Sequence, residues 1–269
     1  MLQRVVMGVE YNGALFRGWQ KQKHDNKGPS IQEMLEAAIS KVANHPVNIV
    51  CAGRTDAGVH ASAQVIHFDS ESERSLDGWR MGVNSNLPEG IAITFALFME
   101  DDFHARFSAT ERRYRYFILN TPFKPGIMHN QVSWWRKPLD ADLMHEAAQA
   151  LIGEHDFSSF RAVGCQAHHP RRLMKSISVE RKGQWLIVEI CANAFLYHMV
   201  RNIMGVLLPI GEGKMPVSWC AEVLAAQDRK KAGVTAPGEG LYLVDVVYPN
   251  FPQVPVVRDG PYFWQLLGA

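Results

Sequence analysis

The segment Ser30-Ile31-Gln32-Glu33-Met34-Leu35-Glu36-Ala37-Ala38-Ile39-Ser40-Lys41-Val42 sets Ile31, Met34, Leu35, Ala38, Ile39 and Val42 at the three-and-four spacing of one helix face. Ser30 and Glu33 form the signature of a capping box, and Gly28-Pro29 breaks the chain just before it. Upstream, residues 3–11 are rich in strand formers and end at the turn-forming Tyr11-Asn12-Gly13. Downstream, residues 47–51 and 64–68 read as short strands around a polar loop. A second helix starts near Asp77, and residues 91–99 read as a strongly apolar, buried strand. The first half therefore runs β-α-β-β-α-β.

The second half repeats that order with one extra helix. Residues 112–119 alternate charged and aromatic side chains as a strand, and Asp140 caps a helix carrying Leu143, Met144, Ala147 and Leu151. A basic loop at 161–172 leads to a hairpin of residues 175–181 and 184–191, turning at Lys182-Gly183. Helices at roughly 195–209 and 216–226 precede a closing strand at 241–248. The fold class is α+β: two packed domains, 1–107 and 108–269, with mainly antiparallel or mixed sheets side by side. Helices lie on one side of the sheets, and a cleft is expected between the domains. No sequence repeat accompanies this doubling.

The chain has 269 residues, 47% of them hydrophobic and 20% charged, with a formal net charge of +1. That balance gives no bulk attraction for nucleic acid, but the charge is segregated. Residues 1–27 hold five basic and two acidic side chains, residues 66–103 two and eight, and residues 161–182 six and one. Such segregation is the footprint of a face that meets phosphates. Cys51, Cys165, Cys191 and Cys220 form no CxxC pair, which argues against a zinc knuckle or redox dithiol and fits a reducing cytoplasm. Cys165, His168 and His169 lack a fourth ligand, so no metal is expected. The opening residues lack a signal-peptide core, and the apolar run at 203–210 is far below the ~18 residues that span a bilayer.

The chemistry concentrates in Gly53-Arg54-Thr55-Asp56-Ala57-Gly58-Val59-His60. The glycines permit a tight turn, and an extended chain at 54–56 sets Arg54 and Asp56 on the same side. A guanidinium beside a carboxylate favours the charged nucleophile or base. The same residues would also serve a plain turn in which the aspartate caps backbone N–H groups.

Gly53 to Ala61 resembles the catalytic signature of the tRNA pseudouridine synthases that modify positions 38, 39 and 40 of the anticodon stem-loop. Tyr11-Asn12-Gly13 with Phe16-Arg17-Gly18-Trp19-Gln20 is similar to that family's opening motif, although position 12 is usually aspartate there. Ala105-Arg106-Phe107-Ser108-Ala109-Thr110, running into Arg112-Arg113-Tyr114-Arg115-Tyr116, resembles its central motif. Asp156 to Phe160, Ala192 to Phe195, His198 to Asn202 and Gly240 to Leu243 follow in family order.

The resemblance implies that Asp56 is the catalytic aspartate, that Arg54 and Arg201 act near it, and that Tyr114 stacks on the target base. A buried Arg201 needs a partner, which Asp56 would supply. The resemblance further implies tRNA as partner, a homodimer, and no cofactor. That agrees with the absence of a Walker motif or GxGxxG. Basic groups suited to phosphate contact are Arg17, Lys21 and Lys23, then Arg112, then Arg161, Arg171, Arg172 and Lys175, then Arg229 to Lys231. Asp56 could attack C6 of the base, attack C1′, or take the C2′ proton. A non-catalytic tRNA-binding module is the competing class; a glycosidase would need two paired carboxylates.

Overall fold

The computed structural model describes residues 2–21, 28–256 and 260–265; Lys23 lies outside them. In chain order the strands are β1 (Gln3–Tyr11), β2 (Val50–Cys51), β3 (His60–Ser70), β4 (Ile91–Met99), β5 (Glu111–Asn120), β6 (Ser133–Trp135), β7 (Gly153–Asp156), β8 (Arg171–Lys182), β9 (Trp185–Ala192) and β10 (Leu241–Val247). The helices are α1 (Ile31–Ala43), α2 (Leu76–Asn84), α3 (Ala141–Ala148), α4 (Met199–Gly211), α5 (Trp219–Ala226) and the short α6 (Tyr262–Gln265). The fold is α+β. Two compact units divide the chain, one formed by residues 1–110 with 242–269 and one by residues 111–241.

In the first unit the strand order is β4-β1-β3-β10, with β2 on β3. Its pairings are antiparallel except for β10 on β3, which run parallel through Tyr242 opposite His60. Here the division differs from one at 107/108 that leaves the closing strand in the second half. Beyond residue 241 the chain returns to hydrogen-bond β3, and Tyr248 donates its hydroxyl proton to the Ala105 carbonyl at 2.6 Å. Residues 5–9 of β1 are buried on both faces. β4, by contrast, is an edge strand and not the fully buried one expected: Ala92, Thr94 and Phe98 are exposed in alternation with buried Ile91, Ile93 and Met99.

Helix α1 begins as its sequence dictates. The Ser30 hydroxyl accepts from the Glu33 N–H at 3.3 Å, and Glu33 accepts from the Ser30 N–H at 2.8 Å. Hydrogen bonds from the Ser30 hydroxyl and N–H, with Arg17 beside it, hold the Glu33 carboxyl down at about 2. Ile31, Leu35, Ala38 and Ile39 are buried, and Asn44 ends the helix in the left-handed region that asparagine tolerates. Trp79 of α2 packs edge-on against Phe68 of β3 at 5.2 Å, both fully buried. Each side chain buried in this way contributes roughly 1.5–3 kcal/mol.

In the second unit the order is β5-β9-β8-β7, antiparallel throughout, with β6 parallel on β5. Asp140 caps α3 by accepting from Asp142 and Leu143 N–H, and Met144 and Ala147 face the interior. The hairpin of β8 and β9 turns at Gly183, which has φ +58°. It is longer than its sequence suggested: Arg171 and Arg172 belong to β8 and not to a loop. The helices expected from 195 and 216 begin at Met199 and Trp219.

Candidate active site

The loop between β2 and β3 carries Arg54, Thr55 and Asp56, and the structure turns the middle residue inward. Thr55 is buried while Arg54 is exposed and Asp56 half-buried, so the two ionisable side chains flank a neutral anchor. The Thr55 hydroxyl meets the Tyr11 hydroxyl at 2.7 Å, and its carbonyl accepts from the Trp19 N–H at 3.0 Å. Gln64, fully buried on β3, donates through Nε2 to the Gly53 carbonyl at 2.6 Å and to the Tyr11 hydroxyl at 3.4 Å. Its Oε1 accepts from the Val65 N–H at 3.2 Å. A buried polar network of this kind fixes one loop geometry because every alternative leaves donors or acceptors unpaired.

Two glycines of the opening motif let its backbone lie directly against this loop. A Cβ on Gly13 would stand 1.9 Å from the Val59 carbonyl oxygen. One on Gly18, whose φ is +99°, would stand 2.9 Å from the Ala57 nitrogen and 3.1 Å from the Asp56 carbonyl carbon. The far end of the loop closes with Val59 N–H donating to the Asp56 carbonyl at 3.1 Å, beside Gly58 at φ +80°. His60 then starts β3. Its Nδ1 accepts from the Gly13 N–H at 3.1 Å and its ring stacks on Tyr242 at 4.5 Å. It is thus a satisfied structural histidine. Asn12 caps a one-turn 3-10 helix at Gly13–Leu15 by accepting from the Ala14 N–H at 3.1 Å. That task needs a side-chain oxygen but no charge, which accounts for asparagine at this position.

The second unit holds Tyr114 and Arg201. Tyr114 is a buried residue of β5, with its ring edge-on to Phe195 at 5.0 Å. Arg112 and Tyr116 share its face, whereas Arg113 and Arg115 lie on the other and converge on Glu189, at 2.5 and 2.7 Å. Arg201 on α4 donates through Nε to the Ala236 carbonyl at 2.8 Å. His198 is the left-handed N-cap of α4, just outside the helix that carries Arg201.

The expected phosphate contacts divide by exposure. Lys21 and Arg171 are exposed, Arg171 in an ion pair with Glu154 at 3.2 Å. Arg17 donates to Glu33 at 2.9 Å with its side chain only 11% exposed. Arg112 is buried and donates to the Asn193 carbonyl at 2.9 Å. Arg161 holds its own loop through the Cys165 and Ala167 carbonyls, at 3.0 and 2.7 Å. Arg172 is buried and donates to the His169 carbonyl at 2.9 Å, and burial lowers the pKa of its guanidinium. Arg229 bridges the Gly233 carbonyl, Asn202 and Thr235. Sequence composition could not separate such structural arginines from solvent-facing ones, because a count of charges reports neither burial nor which carbonyl a guanidinium meets.

A family model described as tRNA pseudouridine synthase matches residues 7–108 and 147–249. The chain belongs to the tRNA pseudouridine synthase family. Three relatives, each named tRNA pseudouridine synthase A, extend the likeness to almost the whole chain. The one from Shewanella sp. (strain MR-4) is 54% identical over 97% of this chain and 98% of its own. That from Aeromonas hydrophila is 54% identical over 94% of both. That from Tolumonas auensis is 53% identical over 97% and 99%. A chain of a solved Cbf5-Nop10-Gar1 complex aligns with 89% of this chain and 48% of its own, at TM-score 0.36 and 12% identity, too distant to bear on activity.

As a pseudouridine synthase the protein is an isomerase that modifies tRNA. The matched segments of the synthase family contain Arg54, Asp56 and Arg201, while Arg112 and Tyr114 lie between them. Among the described residues no helix is long and apolar enough to cross a membrane.

Proposed function

We propose that this synthase converts uridines 38, 39 and 40 of the tRNA anticodon stem-loop to pseudouridine in the cytoplasm, as a homodimer, with Asp56 as the reacting carboxylate and no cofactor. The reaction breaks the N1–C1′ bond, rotates the uracil, and rejoins it through C5, whose hydrogen leaves as a proton while N1 takes one up from solvent. Neither a redox change nor a group donor enters this balance, so one positioned carboxylate suffices. Asp56 serves it by attack at C6 or C1′, or by removing the C2′ proton. Arg54 and Arg201 are the arginines this reading assigns to the reaction alongside Asp56, and Tyr114 stacks on the extruded base, at roughly 1–3 kcal/mol per stacked base against a few kcal/mol of unstacking.

The observation that carries this reading is the anchoring of the Asp56 loop. Thr55 is turned inward onto Tyr11, the Gly18 backbone abuts Asp56, and the Arg54 and Asp56 side chains are left on the less buried side. An aspartate needed only to cap a turn would not require a buried network on its neighbours. The test is incubation with unmodified tRNA transcripts followed by pseudouridine mapping. Asp56→Asn is expected to abolish product at 38–40 while tRNA affinity stays near wild type. Residual turnover within about tenfold of wild type, equivalent to ~1.4 kcal/mol of barrier, would count against the assignment.

A further inference from the structure

The segment 104–108 carries an exposed aromatic ring that neither the fold nor the proposed chemistry uses. Phe107 is 75% exposed. Its ring stacks on His104 with centroids 4.3 Å apart and planes 29° from parallel, and the Arg106 guanidinium lies 5.5 Å from its centroid. At that exposure most of the ring's surface meets solvent.

The turn bearing Phe107 is held rigidly. The His104 Nδ1 accepts from both the Arg106 and Phe107 N–H groups at 3.2 Å. Ser108 closes the turn by donating from its N–H to the His104 carbonyl and accepting the His104 N–H, both at 2.9 Å. Beneath it, His67 of β3 accepts from the Ala105 N–H at 3.1 Å and meets the His104 ring at 4.8 Å. His67 pairs with Val50, and its neighbour Ile66 with Cys51, the residues that lead into the Asp56 loop. Through His67 the turn that bears the exposed ring is tied, within the first unit, to the stretch of β3 that pairs with β2 just ahead of that loop.

We propose that Phe107, backed by His104 and flanked by Arg106, is a stacking platform for an unpaired base of the RNA substrate, distinct from the base that reacts. An open aromatic face attracts any nucleobase regardless of sequence, and a neighbouring guanidinium answers the adjoining phosphate. A solvent-exposed phenylalanine serves no packing purpose, and orienting it by two backbone hydrogen bonds to one imidazole sets the ring in place before RNA arrives. The platform holds the strand next to the extruded uridine and so sets which nucleotide is presented to Asp56. This inference rests on the reading of the protein as a tRNA-modifying enzyme.

The test measures equilibrium binding and single-turnover modification of an unmodified tRNA transcript by the full chain and its Phe107→Ala, Phe107→Leu and Phe107→Trp variants. Alanine and leucine are expected to weaken binding on the order of tenfold, with thermal midpoints unchanged, while tryptophan stays within twofold of wild type. Full affinity in the alanine variant, or rescue by leucine as well as by tryptophan, would overturn the platform while leaving the functional reading intact. A wild-type protein that neither binds nor modifies the transcript would overturn both.

Discussion

Replacing Gly18 by alanine separates backbone strain from contact with the Asp56 loop, because Gly28 provides a matched control. Both residues have φ +99°, but a Cβ on Gly28 would meet nothing within 4 Å. Gly28→Ala therefore carries only the left-handed penalty, about 1–2 kcal/mol. On Gly18 the new methyl would stand 2.9 Å from Ala57 N, 3.1 Å from Asp56 C and 3.2 Å from Thr55 O. Ordinary contacts there are about 3.5 Å or more, so the loop must retreat by roughly half an ångström. Overpacking of this kind adds about 1–3 kcal/mol, for a total near 2–5 kcal/mol. A misplacement of about 1 Å lowers catalysis by ~10²-fold, so half of that corresponds to roughly tenfold. Urea titrations give the stabilities, and release of tritium from C5-labelled uridine in a single-turnover reaction gives the rate. Gly28→Ala should be less stable yet fully active, whereas Gly18→Ala should lose both. Equal turnover rates in the two variants would refute the idea that the opening motif positions Asp56.

Two further perturbations follow from the buried contacts. Thr55→Val removes the 2.7 Å bond to Tyr11 and should cost about 1–3 kcal/mol; Tyr11→Phe in the same protein should add little, and additive losses in a double-mutant cycle would show the bond is not shared. Burial, with His104 and Arg4 nearby, pushes the His67 imidazole from 6.5 down to about 4. The folded protein keeps His67 neutral where the unfolded chain is already protonated, so stability is full above about 6.5 and declines as pH falls toward 4. Denaturant titrations at several pH values should find a smaller decline in His67→Asn, whose amide oxygen can still accept from Ala105; an identical decline would reject the linkage.

The sequence disclosed what is local. Helix α1 was readable because its cap, its apolar stripe and its preceding break fall within sixteen residues. The Asp56 loop was readable because its residues are contiguous. What it concealed depends on burial and on partners far along the chain. Gln64 and Thr55 look like ordinary strand and turn residues until Tyr11, more than forty residues earlier, is seen between them. Arg172 and Arg112 count as surface charge in a composition window, yet each is buried on a backbone carbonyl. The apolar run of β4 matches a buried strand as well as an edge one, since periodicity does not report which neighbour is missing. Short strands such as β6 and β7 give too few residues for any period to register.

The parallel pairing of β10 with β3 has a bearing on how the protein is made. A nascent chain leaving the ribosome releases β1 to β4 first, but the strand that completes their sheet follows only after the whole of residues 111–241. Until then β3 lacks its strand partner at His60 and Ala61, and His60 lacks the Tyr242 ring it rests on. The anchors of the Asp56 loop on Tyr11, Gly18 and Gln64 are all translated early, but its His60 end gains its last support only with β10, and ribosome-stalled chains lacking β10 should be the most prone to aggregate along that edge.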